Sequence, residues 1–187
     1  MDMDLAYEVQ AQVIAQELAA GAQQIGWKVG FSAKPVMALL GVEMPVCGVL
    51  LDRHVILEGT PLAARRFTAP RLECEIAFVM DKDVAGADCT PEQIADATAY
   101  VSPALEVVDT RLLAKDPDTG LGPAAVDMVA DNVACGGVVL GSARHKLEGL
   151  DLRRVGVCAS LNGEVEETGL GASVYGHPLE AMVWLVK

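Results

Sequence analysis

The 187-residue chain is 52% apolar and 21% charged, the composition of a folded domain large enough to bury a core. Acidic residues outnumber basic ones by 26 to 14, a net charge of −12 that argues against a nucleic-acid surface; no apolar run is long enough for a membrane span. The five cysteines (Cys47, Cys74, Cys89, Cys135 and Cys158) lack C-x-x-C spacing, and the N-terminus carries acids where a secretory signal needs positive charge, so neither a disulfide framework nor a zinc site is expected and the cytoplasm is the expected location.

From Leu5 to Ala20 the spacing predicts a helix with Ala6, Val9, Val13 and Leu18 on one stripe, ended by Gly21. "QIGWKVGFS" reads as a strand, "KPVMALLG" as a short helix closed by Gly41, and "GVLLDRHVIL" and "RLECEIAFVM" as strands. Thr90, Pro91 and Gln93 form a capping-box start for a helix over "TPEQIADATAY". "VSPALEVVD" reads as a strand, the stretch "LLAKDPDTGLGP" as a polar loop, "AAVDMVADN" as a helix and "GGVVLG" as an apolar strand. Asn162-Gly163 between two strand-like runs predicts a hairpin, and a final helix starts at Pro178. The sequence therefore reads as one α+β domain, rich in strands, with helices at its edges.

In "RLECEIAFVM", alternation puts Glu73 and Glu75 on one face and Leu72, Cys74, Ile76, Phe78 and Met80 on an apolar face expected to meet the core. The two glutamates stand ~6.6 Å apart along the strand, close enough for their carboxylates to converge. Glu106, flanked by Leu105, Val107 and Val108, is a third carboxylate in an apolar strand, and no lysine stands beside any of the three in sequence. A buried unpaired carboxylate is costly, so the set points either to a hard divalent cation, magnesium or manganese, or to a solvent-facing strand. Spacing leaves both readings open.

The motifs "GWKVGF", "RLECEIAFV", "PALEVVDTR", "MVADNVACG" and "GHPLEAMVWL" occur in an order that resembles the 2-keto-4-pentenoate hydratase group of the fumarylacetoacetate-hydrolase-like superfamily. The likeness runs from about Ala6 to Lys187 and extends to the 4-oxalocrotonate decarboxylases; "KDPDTGLGPAAVDMVADN" and "NGEVEETGL" look most like 2-oxohept-4-ene-1,7-dioate hydratases. The resemblance implies a mixed β-roll or barrel with peripheral helices, Glu73, Glu75 and Glu106 as ligands of Mg²⁺ or Mn²⁺, and Lys28 in the active site as an acid/base or substrate-carboxylate group. It implies a single catalytic domain over residues 1–187, truncated at both ends: a short N-terminal helix over 4–20, and no late barrel strands. At "MPVCG", Val46 and Cys47 replace an acid common in relatives, so no helper carboxylate is expected there.

The implied reaction is metal-dependent hydration of a small anionic 2-hydroxy-2,4-dienoate to a 4-hydroxy-2-oxo acid. A decarboxylase is the alternative on the same site, and a non-catalytic subunit of a hydratase–decarboxylase assembly is the alternative of another class. Arg71 reads as a salt-bridge anchor at its strand start or as a substrate contact. Asp131 and Asn132 read either as groups that orient a bound water or ligand or as a helix end. Asp109 and Arg111 are expected to pair locally. The three histidines, His54, His145 and His177, lack metal spacing, and neither a P-loop nor a G-x-S-x-G motif is present. A stripe of Leu179, Met182, Val183 and Val186 on the last helix, with Trp184 beside it, leads to the expectation of a homo-oligomer or of burial by a segment outside these residues.

Overall fold

The computed structural model describes residues 1–187. Helix α1 (Met3–Ala19) begins at Asp2, whose carboxylate accepts the Leu5 N–H at 3.0 Å. It buries Ala6, Gln10 and Ile14, each four residues apart, while Val13 and Leu18 stay 42% and 40% exposed. The expected stripe is thus rotated. Gln10 supplies the reason: its amide donates to the carbonyls of Cys47 at 3.1 Å and Val129 at 2.8 Å, so a polar residue fills an inward position without leaving its amide N–H unpaired.

Strand β1 (Gln24–Gly30) pairs antiparallel with β2 (Val46–Leu51), placing Lys28 opposite Gly48. Between them, α2 (Lys34–Leu40) ends at Gly41 in the left-handed conformation. The stretch "GVLLDRHVIL", expected as one strand, breaks after Leu51 into a 3₁₀ turn at Asp52–His54 and the short β3 (Val55–Ile56). Two side chains make the break: His54 Nδ1 accepts the Leu51 N–H, and the Asp52 carboxylate accepts the N–H groups of Gln23 and Arg53.

The main sheet has the order β3-β6-β5-β4, built from β4 (Pro70–Met80), β5 (Thr98–Asp109) and β6 (Cys135–Leu140). All neighbours are antiparallel except β3 and β6. Helix α3 (Pro91–Ala97) joins β4 to β5 and carries the predicted capping box, with Thr90 and Gln93 exchanging hydrogen bonds. Strands β7 (Gly156–Leu161) and β8 (Glu164–Leu170) form the predicted hairpin, with Asn162 and Gly163 both at positive φ as a two-residue primed turn requires. The three sheets stay separate and none closes into a barrel.

Two expectations about burial are corrected. On β4, Leu72 is 66% exposed and Cys74 is exposed; the apolar face enters packing only from Ile76 onward. The last helix, α5 (Pro178–Val186), does not present a bare face: Val183 is buried with Cys89 and Ile94, and Leu179, Met182 and Val186 pack around them. The segment leading into α3 and α3 itself cover α5. Exposed apolar side chains lie elsewhere, among them Leu39, Leu57, Leu72, Leu113 and Leu121 and, on the β7–β8 hairpin, Leu161, Val165 and Leu170.

Helix α4 (Ala125–Ala130) leads into a second backbone feature. Asn132, Val133 and Ala134 all have positive φ, at 54°, 52° and 54°. This conformation is costly for any L-residue and most of all for a β-branched one, of order 1–3 kcal/mol per residue. The turn is buried throughout and packs against the β1–β2 hairpin.

Candidate metal centre

The β4–β5 register sets Glu73 opposite Glu106, and Glu75 follows two residues later on the same side. One carboxylate oxygen from each lies within 4.8 Å of the other two. Glu106 is buried, 6% exposed, while Glu73 and Glu75 open onto a cleft of about 1240 Å³. Lys28 reaches the cluster from β1. Its Nζ lies 2.6 Å from Glu106 Oε1 and donates to the Val133 carbonyl at 2.9 Å. The carboxylates are therefore not without a lysine, as their sequence neighbourhood implied; the partner comes from a different sheet. The Lys28 ammonium is the only protein cation paired with Glu106.

Burial, followed by the charges of Glu106 and Glu73, pushes the Glu75 carboxyl up to about 7, against an opposing pull from Lys28. Glu75 is reachable from the cleft, yet protein atoms crowd its carboxyl on the other sides. Glu106 is also raised, by burial, although Lys28 acts in the other direction. Three convergent carboxylates, one of them on a buried residue and offset by a single ammonium, match the requirements of a hard divalent cation. No sulfur or imidazole ligand joins them within the cluster.

The electrostatics carry a testable sign. The Glu75 value in the fold lies above its ordinary 4.5, so its contribution to stability is fully present below that value and is lost as pH rises through about 7. In chelator, this contribution to the thermal midpoint should fall between about pH 5 and pH 8. Magnesium should raise the midpoint more at the higher pH, because a ligand that binds only the folded state stabilises it. Thermal unfolding with EDTA or Mg²⁺ at the two pH values measures both effects; equal shifts would remove the carboxylate cluster as their cause.

The remaining candidates separate by environment. Arg71 lies on the Glu73–Glu75 side of β4, lines the cleft and makes no ion pair, so the expected salt-bridge anchor is not formed. Asp131 pairs with Arg111, Nε to Oδ2 at 3.1 Å. Asn132 is buried, and its amide is used by Val49: Oδ1 accepts the Val49 N–H at 2.7 Å and Nδ2 donates to the Val49 carbonyl at 2.9 Å. Asp109 does not pair with Arg111; it accepts the N–H groups of Thr68 and Ala69, both at 2.8 Å, and ties down the approach to β4. At "MPVCG", burial raises both the Cys47 thiol and the Tyr7 hydroxyl that meets its N–H, Tyr7 to about 12.

Two contributors to the site lack a side-chain signature in the sequence. One is the Val133 carbonyl. The other is Gly48, where an added Cβ would stand 3.0 Å from Asn132 O and Oδ1 and 3.1 Å from Lys28 Cγ.

Residues 15–187 match the fumarylacetoacetate (FAA) hydrolase C-terminal family, and the chain belongs to that family. It is 38% identical to the 2-oxo-hept-4-ene-1,7-dioate hydratase of Escherichia coli, over 97% of this chain and 68% of that protein. It is 36% identical to the 2-keto-4-pentenoate hydratase of Paraburkholderia xenovorans, over 100% of this chain and 67% of that protein. The structure of 4-oxalocrotonate decarboxylase from Pseudomonas putida, complexed with magnesium and adipate, superimposes with a TM-score of 0.90 at 33% identity, over 100% of this chain and 68% of that one. The chain thus spans about two thirds of the length of these relatives. No helix is long and apolar enough to cross a membrane.

Proposed function

We propose that the chain carries the catalytic site of a divalent-metal-dependent hydratase, acting on a 2-hydroxy-2,4-dienoate of the 2-hydroxypentadienoate or 2-oxohept-4-ene-1,7-dioate type in aromatic meta-cleavage catabolism. The observation that carries this reading is the convergence of Glu73, Glu75 and Glu106 beside Lys28 at an open cleft. The hydratases similar to this chain and the magnesium-bound decarboxylase support it. In this reading the three glutamates hold Mg²⁺ or Mn²⁺, which supplies Lewis acidity toward the 1-carboxylate and 2-oxygen of the substrate.

The protein groups do the rest. Lys28 holds a proton at Nζ beside the substrate, gives it to carbon 5 at the far end of the diene and takes back the proton of the 2-hydroxyl, leaving an unsaturated 2-oxo acid. Water then adds at carbon 4 and a proton at carbon 3, yielding the 4-hydroxy-2-oxo acid. The mostly apolar cleft walls lie along the path of the hydrocarbon part of the substrate. Arg71, facing the cleft without an acidic partner, adds positive potential for an anion in a protein of charge −12.

The likeness to the decarboxylase favours a second reading, in which the same site accepts electrons from a departing carboxylate. Incubating the chain with Mg²⁺ or Mn²⁺ and either a 2-hydroxydienoate or 4-oxalocrotonate separates the two readings. Formation of the 4-hydroxy-2-oxo acid without CO₂ is the expected result, and CO₂ release supports the decarboxylase. Inactivity toward both substrates in both metals would favour a non-catalytic subunit. We further propose one domain over residues 1–187, a cytoplasmic location and a homo-oligomer, supported by the exposed apolar side chains at Leu72, Leu161, Val165 and Leu170.

A further inference from the structure

Strained backbone at a buried position persists only where surrounding contacts hold it, and the turn at Asn132–Ala134 is held from two sides. Arg111 spans the turn: its Nη2 donates to the Asp131 carbonyl and its Nη1 to the Cys135 carbonyl, both at 3.0 Å, while Nε donates to the Asp131 carboxylate. Asn132 fastens the turn to β2 through its paired hydrogen bonds with Val49. Val133 lies close against Gly30, leaving no room for a side chain there, and Asn132 does the same at Gly48. What the turn presents is one carbonyl, that of Val133, which accepts from Lys28 Nζ at 2.9 Å. An ordinary continuation of α4 would turn that carbonyl back into its own hydrogen-bond ladder.

We propose that this left-handed turn sets the position of the Lys28 ammonium against Glu106, and that Asn132 and Arg111 are positioning residues acting through Lys28. The inference rests on the catalytic reading of Lys28 and adds what fixes its reach. It also gives Asp131 a place: it does not approach the metal cluster but orients Arg111.

The test compares Asn132→Ala and Arg111→Ala in the full chain and in the Lys28→Ala background, using a sensitive hydratase assay with Mg²⁺. In the Lys28-containing chain each should lower kcat by roughly 10- to 100-fold, the range for groups that orient a functional side chain, with KM and metal affinity within about twofold. In the Lys28→Ala background neither should lower kcat further, because groups acting through one residue are not additive. Crystal structures of the two single variants should show Lys28 Nζ withdrawn from the Val133 carbonyl. Equal fold-losses in both backgrounds, unchanged kcat, or a Lys28–Val133 contact that survives at 2.9 Å would overturn the proposal. If Asn132→Ala does not fold, Arg111→Ala, whose side chain is 35% exposed, carries the same comparison. Unchanged turnover in Lys28→Ala alone would refute the catalytic reading instead, leaving the crystallographic distance to decide positioning.

Discussion

Lys28→Ala should reduce turnover by roughly 10²–10⁴-fold, the usual effect of removing a general acid/base and equivalent to about 3–5 kcal/mol in the barrier. The side chain is only 8% exposed and its ammonium is placed by two contacts, Glu106 and the Val133 carbonyl. It therefore has a fixed reach into the cluster and does not sweep the cleft. Metal affinity in the variant should be similar or slightly higher, because the alanine removes a cation that stands where another must bind. Steady-state kinetics and a magnesium titration measure the two quantities on the same preparation. Unchanged turnover would reduce Lys28 to a structural counter-charge for Glu106.

Glu75→Gln should abolish metal-dependent activity, by at least about a hundredfold, and weaken magnesium binding, since a ligand matters at least as much as the groups that orient ligands. The fold should survive. Glu75 lies open to the cleft and makes no hydrogen bond that glutamine could fail to replace, and in the metal-free state the substitution removes one of three mutually repelling carboxylates. The variant should thus be less pH-sensitive than the parent in chelator, losing the dependence assigned to Glu75 through about 7. Isothermal titration with Mg²⁺, alongside unfolding curves in EDTA, reads both effects. A variant that keeps its metal affinity would exclude Glu75 from the cation site.

The parts of this site that were legible beforehand are those carried by side-chain alternation. Glu73 and Glu75 share a face because a strand alternates, and Glu106 was marked by its apolar neighbours; the register that brings it opposite Glu73 is a tertiary fact. The metal reading itself needed the family resemblance, since spacing alone favoured a solvent-facing strand. Gln10 was invisible as an inward residue because helical periodicity counts apolar side chains, and its partners lie 37 and 119 residues away. The break after Leu51 depends on backbone N–H groups donating to His54 and Asp52, contacts that no propensity scale contains. Val133 contributes through its carbonyl, which every residue possesses, so its place at the site has no signature in its side chain.

The pairing of β4 with β5 has a further bearing on how such a chain can vary. Two of the three carboxylates face each other across that one pair of strands, and the loop and helix joining them run from Asp81 to Ala97 on the far side. Length changes in the exposed stretch Asp81–Asp83, ahead of the residues that pack on α5, would leave the carboxylate geometry untouched, so that stretch can drift in length or accept a grafted segment. One residue added within either strand is a different event: it turns the downstream glutamates to the opposite face of the sheet and disperses the set in a single step.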